Sequence, residues 1–189
     1  MTLSSGYATH DVLNQPGALA GYNAYAGDAA LTEAVQVFGA GWATDRLHTT
    51  GALVGSARVQ HLARQANRHL PELRTHDRFG NRIDTVEFHP AYHELMGLIY
   101  GCETHSFAWT HDRAGAHVAR GVLSYLWNQG ESGICCPMGM TFASIPALRH
   151  DARLLAEWGQ PILSAVYDPA AVYAKDKASA TVGMAMTEK

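Results

Sequence analysis

Between Ala114 and Gln129 apolar side chains return every three or four residues, so that Val118, Val122, Leu123, Tyr125 and Leu126 share one face of a helix. Gly130 follows as a candidate left-handed C-cap. A helix with such a stripe must bury it against other helices or a sheet, and the neighbouring segments decide which. Asp28, a good N-cap residue, precedes a short run in which Leu31, Val35 and Phe38 share a face before Gly39 and Gly41 stop it. Thr44 to Val54 and Ser56 to His69 read as two helices broken near Gly55. The second carries Val59, Leu62, Ala63 and Ala66 inward and Arg58, Arg64 and Arg68 toward water. His89-Pro90 opens another helix with Tyr92, Leu95, Met96, Ile99 and Tyr100 buried, closed by Gly101, and His150 to Trp158 is again amphipathic. The run Met138 to Ile145 is apolar on nearly all sides and is expected to be buried against several neighbours.

Only Leu73 to Phe88 breaks the helical period. Asp77-Arg78-Phe79-Gly80-Asn81 is a turn signal, with Ile83, Val86 and Phe88 in an extended segment, which predicts one small hairpin. The first 27 residues have no sustained period and read as an arm lying on something else. Ala180 to Met186 reads as a strand of small and sulfur-bearing residues. The fold class expected is mainly α, a helical array with one small β-hairpin.

With 189 residues, 47% of them hydrophobic, the chain can bury the core of one domain. Fourteen Lys and Arg against 17 Asp and Glu leave a formal charge of -3, so nucleic acid is not indicated as a partner. No stretch approaches the roughly 20 apolar residues of a membrane span, and Met1 to Ala8 lacks the basic flank and apolar run of a leader. A cytoplasmic protein with reduced thiols at Cys102, Cys135 and Cys136 is expected.

The residues offer little unaided chemistry. His89 and His93 have the i, i+4 spacing of a metal pair, but Pro90 stands where a zinc peptidase needs Glu and no third ligand follows; His89 is expected to cap and His93 to pack. Cys135 and Cys136 precede Pro137 at a helix start, a position that lowers a thiol pKa, yet no histidine is linked to them, and packing thiols are expected. No glycine pattern matches a phosphate loop. Trp42, Trp109, Trp127 and Trp158 are expected to be core or interface anchors.

A set of short motifs nevertheless falls in order along the chain. Thr9-His10-Asp11-Val12-Leu13-Asn14-Gln15-Pro16, Asn23-Ala24-Tyr25, Gly39-Ala40-Gly41-Trp42, Pro71-Glu72-Leu73, Val86-Glu87-Phe88-His89-Pro90-Ala91-Tyr92-His93 and Cys136-Pro137-Met138-Gly139-Met140-Thr141-Phe142-Ala143 resemble the AidB-type branch of the acyl-CoA dehydrogenases. Gly183-Met184-Ala185-Met186-Thr187-Glu188-Lys189 is similar to the start of that family's flavin loop, with Glu188-Lys189 where ordinary acyl-CoA dehydrogenases have Glu-Pro. The resemblance implies an acyl-CoA dehydrogenase-like amino-terminal helical domain, a middle β-domain and a carboxy-terminal bundle, with FAD between them. It divides the chain into an arm over 1–27, a helical domain over 28–168 and, over 169–189, the first strand of a truncated β-domain.

The activity implied is acyl thioester α,β-dehydrogenation: a carboxylate base removes the α proton while the β hydride passes to flavin. Met184, Ala185, Met186 and Thr187 are the cofactor-binding residues implied, and Thr187 also the substrate-binding one. The base belongs to the carboxy-terminal part of the family protein, so no catalytic residue and no metal ligand is assigned here, and this chain alone is expected to be inactive. FAD and an acyl-CoA-like substrate are the partners implied for the complete family protein, in a homo-oligomer, with FAD weakly held or absent in this chain alone. The alternative is a non-enzymatic helical assembly module without cofactor, since no acid, base or nucleophile stands out.

Overall fold

Four helices begin where a side chain takes up backbone N–H groups that the first turn leaves free. Asp28 accepts from Leu31 N (2.9 Å), Ser56 from Val59 N (3.2 Å), His89 Nδ1 from Ala91 N (3.2 Å), and Asp151 from Arg153 N and Leu154 N (2.9 and 3.1 Å). In the computed structural model, which describes residues 9–10 and 13–185, they open α1 (Ala29–Val37), α3 (Ala57–Arg68), α4 (Pro90–Gly101) and α8 (Ala152–Leu163). The others are α2 (Thr44–Val54), a single turn α5 (Phe107–Thr110), α6 (Ala116–Gly130) and α7 (Cys135–Leu148). The architecture is mainly α with one hairpin, as the periodicity predicts.

Helix α6 packs on α1, α2, α3, α5 and α7, while α3 lies on α4 and α7 on α8. Leu95, Ile99, Tyr100, Leu123, Leu126 and Trp127 are fully buried in the resulting core. A smaller cluster forms at the far end of α7: Ile145, Ile162 and Ala180, edged by Trp109, Leu148, Trp158 and Val182. Two prolines sit inside helices, Pro146 in α7 and Pro161 in α8. Pro146 has no N–H for the carbonyl of Phe142, and that carbonyl instead accepts the Trp109 indole at 3.0 Å. The proline thereby ties α7 to α5.

Part of the amino-terminal arm is docked on α2. Gly21 N donates to Gly55 O and Ala24 N to Gly51 O, at 2.8 and 3.1 Å, and Ala24 and Tyr25 are buried. The approach requires glycine on the helix: a Cβ at Gly51 would lie 2.6 Å from both the Cβ and N of Tyr25. The motif from Thr9 falls partly on residues 11–12, outside the described residues.

The hairpin pairs β1 (Glu72–His76) with β2 (Arg82–Glu87) antiparallel, Leu73 opposite Val86, with a register shift between Arg74 and His76. Asp77 closes its turn by accepting from Phe79 N and Asn81 N at 2.8 and 2.9 Å. Those bonds, with the Asn81 side-chain amide first, hold the Asp77 carboxyl below its ordinary pKa.

Four expectations are corrected. Phe38 is 64% exposed and Tyr125 50% exposed, because α1 and α6 each bury a narrower stripe than the apolar residues on them would fill; on α6 Trp127 takes the buried position. Gly130 is the last helical residue, not a left-handed cap; Glu131 follows in an extended conformation. Gly130 instead lets α6 approach Val54 and Val59, whose Cγ1 atoms would lie 3.0 and 3.3 Å from a Cβ there. In α7 only Met138, Thr141 and Ile145 are buried. Finally, residues 180–185 form no strand, since their hydrogen bonds go to helices.

Candidate functional site

The chain leaves α8 at Ser164 and returns across the helical array to Ala185. Three side chains of α4 and the loop after it fix this return. His93 Nδ1 lies 2.9 Å from the Tyr167 hydroxyl, Tyr100 Oη lies 2.9 Å from Thr181 Oγ1, and His105 Nε2 lies 2.9 Å from the Ser164 carbonyl. A carbonyl only accepts, so His105 Nε2 carries the proton. Burial pushes the His105 pKa down to about 4, with the charge of Arg120 adding to it and the bond to Ser164 opposing it. Burial likewise raises the Tyr167 phenol to about 12, aided by Tyr92, Tyr100 and Asp168, and raises Tyr100 and Tyr92. The cluster is therefore an uncharged tyrosine–histidine seam at neutral pH for these phenols and for His105. It is a set of fasteners with no general base among its phenols.

Within the return segment, Asp168 accepts from Ala170 N and Ala178 N, each at 2.9 Å, and these bonds hold its carboxyl low. Ser179 Oγ accepts from Asp168 N at 3.0 Å. Beyond this loop, Ala180 N donates to Pro161 O at 3.0 Å, using a carbonyl that the last turn of α8 leaves free. Val182 N donates to Thr141 Oγ1 at 3.1 Å, and the same hydroxyl donates to Pro137 O one turn back at 2.7 Å. Thr141 is fully buried, so its hydroxyl is fixed on both sides.

Thr181 lies between two clefts. One, of ≈ 790 Å³, opens toward the hairpin and is walled by Ile83, Val86, Phe88, Tyr92 and Tyr167. The other, of ≈ 470 Å³, is mostly apolar and is walled by Leu148, Trp158, Ile162, Ala180 and Val182, with Gly183 at its edge.

Of the residues singled out in the sequence, Met184 and Ala185 are exposed at the end of this segment, and Met186 and Thr187 lie outside the described residues. His89 caps α4 and stacks on His69, while His93 bonds Tyr167; among the described residues no group of three metal-ligating side chains converges. Cys135 and Cys136 do start α7, but burial, together with Glu131, raises the Cys135 thiol to about 11. Trp127 is a core anchor, Trp109 bridges α5 and α7, Trp42 stacks on Phe107, and Trp158 edges the apolar cleft. Tyr100, Thr141, Tyr167 and Thr181 were not singled out as site residues. The available signal was a polar atom on an otherwise apolar helix face, at Tyr100 and Thr141.

Several known proteins are similar to this chain in sequence or in fold. The chain is 42% identical over 185 residues to AidB of Escherichia coli (strain K12), provisionally named an acyl-CoA dehydrogenase. The match covers 97% of this chain and 34% of that protein. Among solved structures, the apo form of Bd2924 superposes with a TM-score of 0.68 at 23% identity, over 77% of this chain and 30% of that one. Caenorhabditis elegans ACDH-11 in complex with C11-CoA superposes with a TM-score of 0.67 at 18% identity, over 87% of this chain and 30% of that one. At those identities the two structures establish the fold, and the chain spans about a third of the length of the curated relative it matches. The family described as "Adaptive response protein AidB N-terminal domain" matches residues 14–169, and the chain belongs to that family.

Proposed function

We propose that this chain is the amino-terminal helical part of a flavin-dependent, acyl-CoA dehydrogenase-like oxidoreductase of the AidB branch, acting on an acyl thioester. The observation that carries the reading is the family match over residues 14–169, joined to a return segment anchored up to Val182 and leading into Met184 and Ala185. In this reading Met184, Ala185, Met186 and Thr187 approach the flavin, and Thr187 also faces substrate. Residues 1–27 are the arm, 28–168 the helical domain and 169–189 the start of the flavin-binding β-domain.

The residues present leave room for the apolar edge of a flavin ring. A side chain at Gly183 would meet open space, and the apolar cleft walled by Leu148, Trp158 and Ile162 lies beside it. Bound FAD would supply hydride acceptance. The chain's own part is to orient the ring edge and to exclude water with the Trp158 wall. In this reading the carboxylate that takes the α proton belongs to the carboxy-terminal part of the family protein, so the chain alone is inactive and further domains complete the site.

An absorbance spectrum after incubation with FAD and gel filtration tests this. Weak, less than stoichiometric flavin retention is expected of this chain alone; no retention on the column together with no change in flavin fluorescence on titration sinks the cofactor reading for this chain. The second reading, an assembly module without cofactor, is favoured by the hairpin's exposed Leu73, Phe79, Ile83 and Val86. It predicts a stable oligomer that takes up no FAD.

A further inference from the structure

We infer that Thr141 is a positioning residue that sets the path of the flavin-approach segment, with Tyr100 as its second anchor. The inference rests on the flavin reading above and adds to it two residues of the helical domain that need not touch the cofactor. Three bonds at consecutive residues define the path: Ala180 N to Pro161 O, Thr181 Oγ1 to Tyr100 Oη, and Val182 N to Thr141 Oγ1. They come from α8, α4 and α7 in turn, so they fix the segment against rotation as well as against sliding.

Thr141 is the anchor nearest the exposed end, and it is preorganised. Its hydroxyl hydrogen is committed to Pro137 O, which leaves a lone pair for the Val182 amide. The residue is fully buried, so water does not compete, and losing the acceptor would leave the Val182 N–H without its partner in a partly buried place. Beyond Val182 the chain is exposed at Gly183, Met184 and Ala185. The direction in which those residues leave the helical array is therefore decided at Thr141 and Tyr100. The Tyr100 ring is held by its contacts with His105 and Tyr167, at centroid distances of 4.3 and 5.5 Å.

The test uses the full 189-residue chain in four forms: wild type, Thr141→Val, Thr141→Ser and Tyr100→Phe. Amide hydrogen exchange at Val182 is read beside FAD affinity from flavin fluorescence, with circular dichroism reporting the helices. Thr141→Val is expected to speed exchange at Val182 by about tenfold and to weaken FAD binding by about three- to tenfold, the scale of one lost hydrogen bond. Thr141→Ser, which keeps the acceptor, is expected to match wild type in both. Tyr100→Phe keeps the ring, weakens FAD binding in the same direction, and carries the test if Thr141→Val fails to fold. Equal FAD affinity in wild type, Thr141→Val and Tyr100→Phe overturns the inference while leaving the flavin reading standing, as does a Thr141→Ser variant that behaves like Thr141→Val. A wild-type chain that takes up no FAD overturns the cofactor reading for this chain, and with it the role assigned to Thr141.

Discussion

Gly115 meets the backbone of Gly39 so closely that a Cβ on Gly115 would lie 2.6 Å from the Gly39 carbonyl carbon and 2.8 Å from Ala40 N. Gly115 also has φ +80 at the start of α6, a conformation that L side chains adopt only under strain. The contact seats the longest helix against the end of α1.

Gly115→Ala therefore combines backbone strain with an overlap against main chain, and a loss of about 3 kcal/mol or more in urea unfolding is expected. Gly121, on the exposed side of the same helix, has open space at its Cβ. Gly121→Ala is expected to stabilise by about 0.5–1 kcal/mol. Equal effects at the two sites would contradict the close approach.

Glu131 ends α6 and opens α7. Its carboxylate is nearly buried and accepts from Gly133 N, Ile134 N and Asn67 Nδ2 at 2.9, 2.7 and 3.2 Å. Glu131→Ala leaves two backbone N–H groups without their acceptor and is expected to cost about 2–3 kcal/mol. Asn67→Ala, on the exposed side, should cost less than half as much. Thermal unfolding of the two variants and of their double mutant checks both the size and the coupling.

The His105 pKa gives stability a defined pH dependence. The unfolded residue takes up a proton near its ordinary 6.5, the folded one only near 4. Between those values the unfolded state binds more protons, so stability falls as pH drops from about 6.5 toward 4. The full displacement corresponds to roughly 3 kcal/mol. His105→Gln keeps a donor for Ser164 O but cannot titrate, and its urea midpoint should change less than that of wild type between pH 7.5 and pH 4.5. Identical slopes would place the titration elsewhere.

Thiol accessibility separates the three cysteines. Cys136 is exposed, Cys102 is buried, and burial raises the thiol pKa of both Cys102 and Cys135. At pH 8 a disulfide reagent is expected to titrate one thiol quickly and the other two only on unfolding. Cys136→Ser should remove the fast phase; its survival would mean that Cys135 is reactive.

Most of the helices were legible in the sequence because they are announced locally, by caps at Asp28 and His89 and by apolar stripes whose period depends only on neighbours along the chain; the single turn α5, with no side-chain cap, was not. The hairpin was legible for the same reason, since Asp77 and Gly80 specify its turn. The ordered motifs pointed to the family, and the match over residues 14–169 establishes it. What tertiary structure alone decided is which apolar residues remain in water, as Phe38 and Tyr125 do, and where the last described segment runs. Ala180 to Ala185 has the composition of a strand, but a strand exists only where a partner backbone completes it. Here the carbonyl of Pro161 and the hydroxyl of Thr141 take that place, with Tyr100 holding the Thr181 side chain, and the three come from α8, α7 and α4. A hydrogen bond between residues 41 or 81 positions apart leaves no period in the chain, and only folding brings its two ends together.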